Sequence, residues 1–239
     1  TVSVDEEGLA DGTNPDAPSE TATWTAPDGY TIVGVENGNL GTVSQTGETT
    51  LDYTLSNAIT HPAGSGENTT TGADSFEVTI MDGDGNTYTV TVNVDVVDDV
   101  PTISADSLSK DVASGAEVTG SVDIDYGADN EGGQKSLTVN GKTGTAAEDG
   151  KLSFELNNGT LVFDPATGGY VFTADANVTT DQTLNFVVTD ADGDTDDVTV
   201  TVSIAKPEAP SFTGTVSVDE EGLADGTNPD APSETATWT

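Results

Sequence analysis

Residues 184–204 read LNFVVTDADGDTDDVTVTVSI, and this stretch decides the fold that the sequence predicts. Apolar side chains alternate with polar ones on both sides of an acidic centre, DADGD at residues 190–194. Such alternation is typical of strands that bury one face, and the glycine allows a tight reversal of the backbone. The stretch therefore predicts a β-hairpin whose tip is acidic.

The tip of this hairpin places three carboxylates, those of Asp190, Asp192 and Asp194, within five residues. Neighbouring carboxylates repel one another, and a hard cation relieves that repulsion. Calcium takes about six to eight oxygen ligands and tolerates irregular geometry, whereas magnesium demands a near-ideal octahedron. We therefore expect these residues to bind calcium, with a solvated turn as the alternative for any one of them.

The same pattern occurs at residues 76–96, FEVTIMDGDGNTYTVTVNVDV, where Asp82, Asp84 and Asn86 lie at the tip. Because the device occurs twice, we interpret it as a shared feature of two similar units. The sequence lacks the flanking helices and the loop spacing of an EF-hand, and it lacks the tandem nonapeptides of a β-roll.

An internal repeat organises the chain, because residues 1–25 recur letter for letter as residues 215–239. With the two hairpins, this repeat predicts an all-β fold of tandem immunoglobulin-like (Ig-like, cadherin-like) β-sandwiches with calcium sites in end loops and junctions. We expect one sandwich at residues 1–100, a second at 101–214, and the first strands of a further repeat at 215–239. The last segment is expected to be mobile or docked on another copy of the chain; the alternative is that it completes the second sandwich.

The predicted boundary between the sandwiches lies where alternation stops, at Asp98 and Asp99, and Pro101 prevents further pairing on that side. We expect the two sandwich ends to meet here and to share an ion. Glu6, close behind the first short strand, and its copy Glu220 would add carboxylate oxygens at a sandwich end. The exit after the second sandwich, KPEAP at residues 206–210, holds a single acidic residue, so the two junctions are expected to differ in calcium dependence.

Composition narrows the function. The chain has 239 residues, 43 acidic against 5 basic, a net charge of −38 and no cysteine. A nucleic-acid partner is excluded, because it would need a basic surface, and the sequence contains no apolar run long enough for a membrane span. Bound divalent cations would offset the repulsion. The only histidine, His61, is expected to face solvent in a polar loop at residues 61–72, so no enzyme site of the Ser-His-acid kind is indicated.

Four phrases carry a resemblance to a known family: SVDEEGLADG (3–12), THPAGSGENTTTGADSFEVTIMDGDGNTYTVTVNVDVVDDVP (60–101), DYGADNEGG (125–133) and LVFDPATGGYVFTADANV (161–178). They resemble the immunoglobulin-like, cadherin-like repeats of giant type I-secreted RTX adhesins of Gram-negative bacteria. The resemblance implies calcium-stiffened extender repeats at the bacterial cell surface, in contact with neighbouring repeats, which hold a distal ligand-binding module away from the cell. A direct carbohydrate- or protein-binding module and a self-assembling fibre subunit are the alternatives.

By matching motif, the resemblance also implies which residues bind calcium. The positions that match are Asp82, Asp84, Asn86, Asp98, Asp99, Asp125, Asp129, Asp190, Asp192 and Asp194.

Overall fold

The computed structural model describes residues 1–62, 64–128, 135–147, 149–206, 214, 218 and 223–227. Contacts between residues divide the chain into two units, Thr1–Lys206 and Pro207–Thr239. The strands described below all belong to the first unit. Most of the segment expected to begin a further repeat lies outside the described residues, so its fate stays a prediction; within it, Val218 and Leu223 are exposed.

The first sandwich follows the Ig-like arrangement, in which a sheet of B, E and D strands faces a sheet that contains C, F and G strands. One sheet has the order β1-β7-β6-β3 and the other has the order β2-β5-β4. Strands β1 and β7 run parallel, whereas the other neighbours are antiparallel. The strand bounds are β1 (Val2–Asp5), β2 (Thr21–Thr25), β3 (Thr31–Val35), β4 (Gly41–Gln45), β5 (Thr50–Leu55), β6 (Thr69–Met81) and β7 (Thr87–Val97).

The second sandwich repeats this plan with additional short strands. Its sheets have the orders β13-β14-β15-β16-β10-β8 and β12-β11-β17-β18-β9, and β9 runs parallel to β18. The all-β fold class predicted from the sequence is confirmed. The strand bounds are β8 (Thr102–Ala105), β9 (Ser109–Ala113), β10 (Glu117–Asp125), β11 (Ser136–Val139), β12 (Lys142–Thr143), β13 (Thr145–Ala146), β14 (Leu152–Glu155), β15 (Gly159–Phe163), β16 (Gly169–Ala174), β17 (Gln182–Thr189) and β18 (Thr195–Ala205).

Each sandwich buries its own set of apolar side chains between its two sheets. In the first, the rings of Tyr53 and Phe76 stack with their centroids 5.6 Å apart. In the second, every other residue of β17 is buried, including Leu184, Phe186 and Val188. Phe186 packs against the ring of Tyr170. Ala128 is an exception, because it follows β10 of the second sandwich in the chain but packs on the core of the first sandwich.

The two acidic hairpins predicted from the sequence form as β6–β7 and β17–β18, but their tips lie in different surroundings. The tip at residues 82–86 is mostly exposed, whereas Asp190, Asp192 and Asp194 are buried. Strand β7 has 11 residues, so the first tip lies roughly 35 Å from Asp98 at the far end of that strand. Only the second tip lies at the junction between the sandwiches. The strand β6 also begins within the stretch that the sequence predicted as a loop.

A buried carboxylate, that of Asp74, ties the two sheets of the first sandwich together. It accepts hydrogen bonds from the backbone N–H groups of Asn39 (2.9 Å), Leu40 (2.8 Å) and Ser75 (2.8 Å), and from the hydroxyl of Tyr53 (2.7 Å). Burial alone would raise the pKa of Asp74, but these hydrogen bonds to the ionised form outweigh it and leave the pKa below its ordinary value. The anion is therefore a structural acceptor.

We expect Asp74→Asn to lower the free energy of unfolding at neutral pH by about 2–3 kcal/mol, because an amide cannot accept from all four donors. Asp28→Asn removes the same charge from an exposed turn and is the control. A depressed folded-state pKa gives stability that is present above about pH 4 and is lost as the pH falls through that pKa. Urea denaturation should thus show that the difference in free energy of unfolding between wild type and Asp74→Asn becomes smaller as the pH is lowered. Equal losses for the two variants at neutral pH would contradict this role.

Candidate metal centre

Strand register places acidic residues of the first sandwich together at the junction. The parallel pairing of β1 with β7 sets Asp5 opposite Val97, so Glu6 lies next to Asp98. The antiparallel pairing of β6 with β7 brings Asn68 to the other side, where its side-chain Nδ2–H donates to Asp98 Oδ2 at 2.7 Å. Glu6 and Asp98 are 0% and 2% exposed. The fold therefore collects these side chains at the end of the sandwich.

The tip of the β17–β18 hairpin approaches the same point from the second sandwich. Asp190 Oδ1 accepts from the backbone N–H groups of Gly193 (2.9 Å) and Asp194 (2.8 Å), which closes the turn. Asp194 Oδ1 accepts from the N–H of Gly66, in a loop of the first sandwich, at 2.7 Å. This hydrogen bond joins the tip of one sandwich to the end of the other.

The remaining oxygens of the tip are buried without a hydrogen-bond donor among the described residues: Asp190 Oδ2, both oxygens of Asp192, and Asp194 Oδ2. Asp98, Asp192 and Asp194 each place an oxygen within 4.8 Å of the others. Burial raises the pKa of Asp192 to about 6, and the neighbouring carboxyl groups of Asp190 and Asp194 act in the same direction. Buried carboxylates without donors cost free energy unless a cation neutralises them. We call Asp98, Asp190, Asp192 and Asp194 the oxygen cluster, and their chemistry fits a hard cation.

Asp99 has a different part in the junction. Its Oδ2 accepts from the backbone N–H groups of Thr13 and Ala128, each at 2.9 Å, and the hydroxyl of Thr13 donates to Oδ1. Gly127 has a φ of +69°, and a Cβ there would meet Asp99 Oδ2 at 2.8 Å, so glycine permits the close approach. Asp99, expected to be a calcium ligand, thus links a loop of the first sandwich to the segment after β10 through protein donors.

The structure contradicts one expectation, because His61 is buried and only 4% exposed. Its Nε2 lies 3.4 Å from Glu6 Oε1 and 4.0 Å from Asp98 Oδ1, and its Nδ1 lies 3.1 Å from Thr70 Oγ1. Burial lowers the pKa of His61, although Asn68 and the charge of Asp194 act in the other direction. The polar composition of its loop gave no sign that the loop folds over the end of the sandwich.

The other residues predicted as ligands lie elsewhere. In the exposed first tip, Asp82 accepts from the backbone N–H groups of Asp84 (3.0 Å) and Asn86 (2.9 Å) and from the hydroxyl of Tyr88 (3.2 Å). Asp125 is exposed, and its Oδ1 accepts from the N–H of Gly127. Asp129 and Glu220 lie outside the described residues. Of the candidates that the structure describes, it brings together Glu6, Asp98 and the tip of the second hairpin.

Sequence reasoning missed three contributors to the junction: His61, Gly66 and Asn68. A signal for Asn68 was available, because counting back along an antiparallel hairpin from its tip sets residues near 70 opposite Asp98. The register shift between Thr70 and Asp74 moves the partner by two residues. That irregularity cannot be read from alternation alone.

Comparisons with known proteins show a likeness in fold class only. No family model matches the chain, and no curated protein matches it. Among solved structures, Sidekick-1 immunoglobulin domains 1–5 share 10% identity over 69% of this chain, with a TM-score of 0.32. Protocadherin Gamma B2 extracellular cadherin domains 1–5 share 14% over 86%, with 0.31, and the tandem Ig repeats of Dlar share 12% over 87%, with 0.28. The matches cover 29%, 38% and 94% of those chains, so this chain spans well under half of the first two.

Proposed function

We propose that this chain is an extender segment of a large extracellular bacterial adhesin, in which calcium bound at the junction holds successive sandwiches in a fixed orientation. The observation that carries the proposal is the oxygen cluster: the buried donor-free carboxylate oxygens of the second sandwich face Asp98 of the first. Such a segment would hold a distal ligand-binding module away from the cell. The resemblance of the motifs to RTX adhesin repeats supports secretion by a type I system and a role in adhesion and biofilms.

Calcium is the cation that best suits this donor set. Asp98, Asp190, Asp192 and Asp194 offer only oxygen, in the irregular geometry of a hairpin tip and a strand end. Calcium accepts such ligands together with carbonyl groups and water, whereas magnesium keeps its own waters and a strict octahedron. The chain has 43 acidic residues against only five basic ones, so it offers few cations of its own to neutralise these four carboxylates.

Stiffening follows from where the ligands originate. Asp98 directly follows the last strand of the first sandwich, and the other three residues lie between the last two strands of the second. An ion bound to both sets resists bending, because any change of angle at the junction would stretch metal–oxygen contacts. The bonds that Asp99 accepts from Thr13 and Ala128 add a metal-independent link. The junction would therefore have two restraints, of which only one responds to calcium.

We expect the melting temperature to rise steeply with millimolar calcium and much less with magnesium. An ion at a hundredfold excess over its dissociation constant adds about 2.7 kcal/mol per site to the free energy of unfolding. The order of the melting temperatures of Asp192→Asn and wild type should differ between the two conditions. In chelator the variant should melt at or above the temperature of wild type, because a buried charge is gone, and in calcium it should melt below it. Differential scanning calorimetry in the two conditions measures this crossing.

Asp28→Asn is the control, because it removes the same charge from an exposed turn and Asp28 is not among the expected ligands. It should leave the response to calcium close to that of wild type. Equal melting of the wild-type protein in chelator and in calcium would refute calcium binding. A parallel loss for Asp192→Asn in both conditions would mean that Asp192 acts only as a structural residue.

We expect calcium to narrow the distribution of distances between the two sandwiches. The chain has no cysteine, so spin labels can be placed cleanly at Glu77→Cys in β6 and Thr201→Cys in β18, both exposed. Double electron–electron resonance should give a narrow distribution in calcium and a broader one in chelator. Asp98→Asn should abolish the narrowing, whereas Asp99→Asn should broaden the distribution in both conditions. If the distance distribution of the wild-type protein is the same in calcium and in chelator, packing alone fixes the angle between the two sandwiches.

A further inference from the structure

We propose that Glu6, His61 and Asp98 form a second metal position, which shares Asp98 with the oxygen cluster and takes a borderline divalent ion of the zinc class. All three side chains belong to the first sandwich: Glu6 follows β1, His61 precedes β6, and Asp98 follows β7. Each offers one ligand atom, and these atoms lie within 4.8 Å of one another. This position needs no residue of the second sandwich, and Asp98 is the one residue that it has in common with the proposed calcium junction.

The imidazole is the observation that sets this cluster apart from a group of acids. His61 is 4% exposed, and its Nε2 is buried and makes no hydrogen bond within the described part of the chain. That nitrogen points at two carboxylates that are themselves buried. A neutral imidazole nitrogen with its lone pair toward anionic oxygens is unfavourable, and a cation between them removes the conflict.

The distances fit a small tetrahedral ion. Zinc binds imidazole nitrogen and carboxylate oxygen at about 2.0–2.2 Å, which makes the edges of the tetrahedron about 3.3–3.6 Å long. His61 Nε2 and Glu6 Oε1 are 3.4 Å apart, the length of such an edge. Nε2 and Asp98 Oδ1 are 4.0 Å apart, which is slightly longer than such an edge. A water molecule would complete the coordination.

Neighbouring groups already orient the ligands. His61 Nδ1 lies 3.1 Å from Thr70 Oγ1, and metal-bound histidines usually donate their other ring N–H to an oxygen. Donation from Nδ1–H to Thr70 leaves the lone pair on Nε2, toward the two carboxylates. Glu6 Oε1 is held by the backbone N–H of Ile59 at 2.6 Å. Thr70 is thus a positioning residue for the imidazole.

Ligand chemistry separates the two positions at this junction. The oxygen cluster suits a hard ion, whereas imidazole suits zinc and similar metals and is not a usual calcium ligand. We therefore expect millimolar calcium to leave the His61 position available to zinc. The same calcium also competes for the weak sites that exposed acidic residues create on the surface of this acid-rich chain.

The test is a calorimetric zinc titration of the full chain in millimolar calcium, read in parallel by nitrogen-15 NMR. We expect one equivalent of zinc to bind the wild-type protein and to shift the ring-nitrogen resonances of His61. Those resonances are unambiguous, because His61 is the only histidine. Thr70→Val keeps the imidazole but removes its acceptor, and it should weaken zinc binding by about 10–100-fold.

Three variants separate this proposal from the calcium junction. His61→Gln should lose the zinc equivalent and keep the calcium-dependent rise in melting temperature, and Asp192→Asn should do the reverse. Glu6→Gln should weaken zinc binding, whereas Glu7→Gln, a neighbour outside the cluster, should not. The proposal is overturned if zinc leaves the wild-type His61 resonances unmoved, if His61→Gln binds as much zinc as wild type, or if calcium displaces zinc one for one.

Discussion

Repulsion between buried carboxylates is the constraint on which the junction depends. Folding brings Asp98 of one sandwich against Asp190, Asp192 and Asp194 of the other and removes water from most of their surfaces. The protein supplies few donors there, and burial beside the other carboxyl groups raises the pKa of Asp192. The sandwiches have complete cores of their own, so the conflict is confined to the point where they meet. Because the repulsion is concentrated at the junction, the stability of the junction should depend on any ion or proton that neutralises these carboxylates.

The fold was largely predictable from the sequence, and the centre only in part. Alternation around the two acidic tips predicted the hairpins β6–β7 and β17–β18, because one-sided burial leaves a direct trace in strand sequences. The side chains at the junction came together through pairing over long separations, such as Glu6 beside Asp98 through the parallel register of β1 and β7. His61 was misjudged, because burial of a loop residue depends on what the loop covers. Local composition does not carry that information.

The two acidic tips show that one sequence pattern can occur in two different surroundings. Asp82 uses its carboxylate to close its own turn, accepting from Asp84, Asn86 and Tyr88 in contact with solvent. In the second tip, Asp190 closes the turn in the same way, but Asp192 and Asp194 face another sandwich. The two loops are similar, and the tips differ mainly because the second tip faces the first sandwich whereas the first tip faces solvent. Motif matching therefore assigned equal roles to residues whose surroundings are unequal.

Parallel pairing of terminal strands gives the first sandwich a mechanical property. There, β1 begins the fold and β7 ends it, and the two pair from Val2 opposite Val94 to Asp5 opposite Val97. Tension along the chain pulls β1 and β7 in opposite directions along their common axis, because the strands are parallel. The hydrogen bonds of the ladder then bear the force together, in shear, instead of opening one after another as in a peeled hairpin. Strands β9 and β18 also run parallel, but β8 precedes β9 in the second sandwich. The resistance of the first sandwich to stretching would thus reside in a short ladder beside the long hairpin that dominates its sequence.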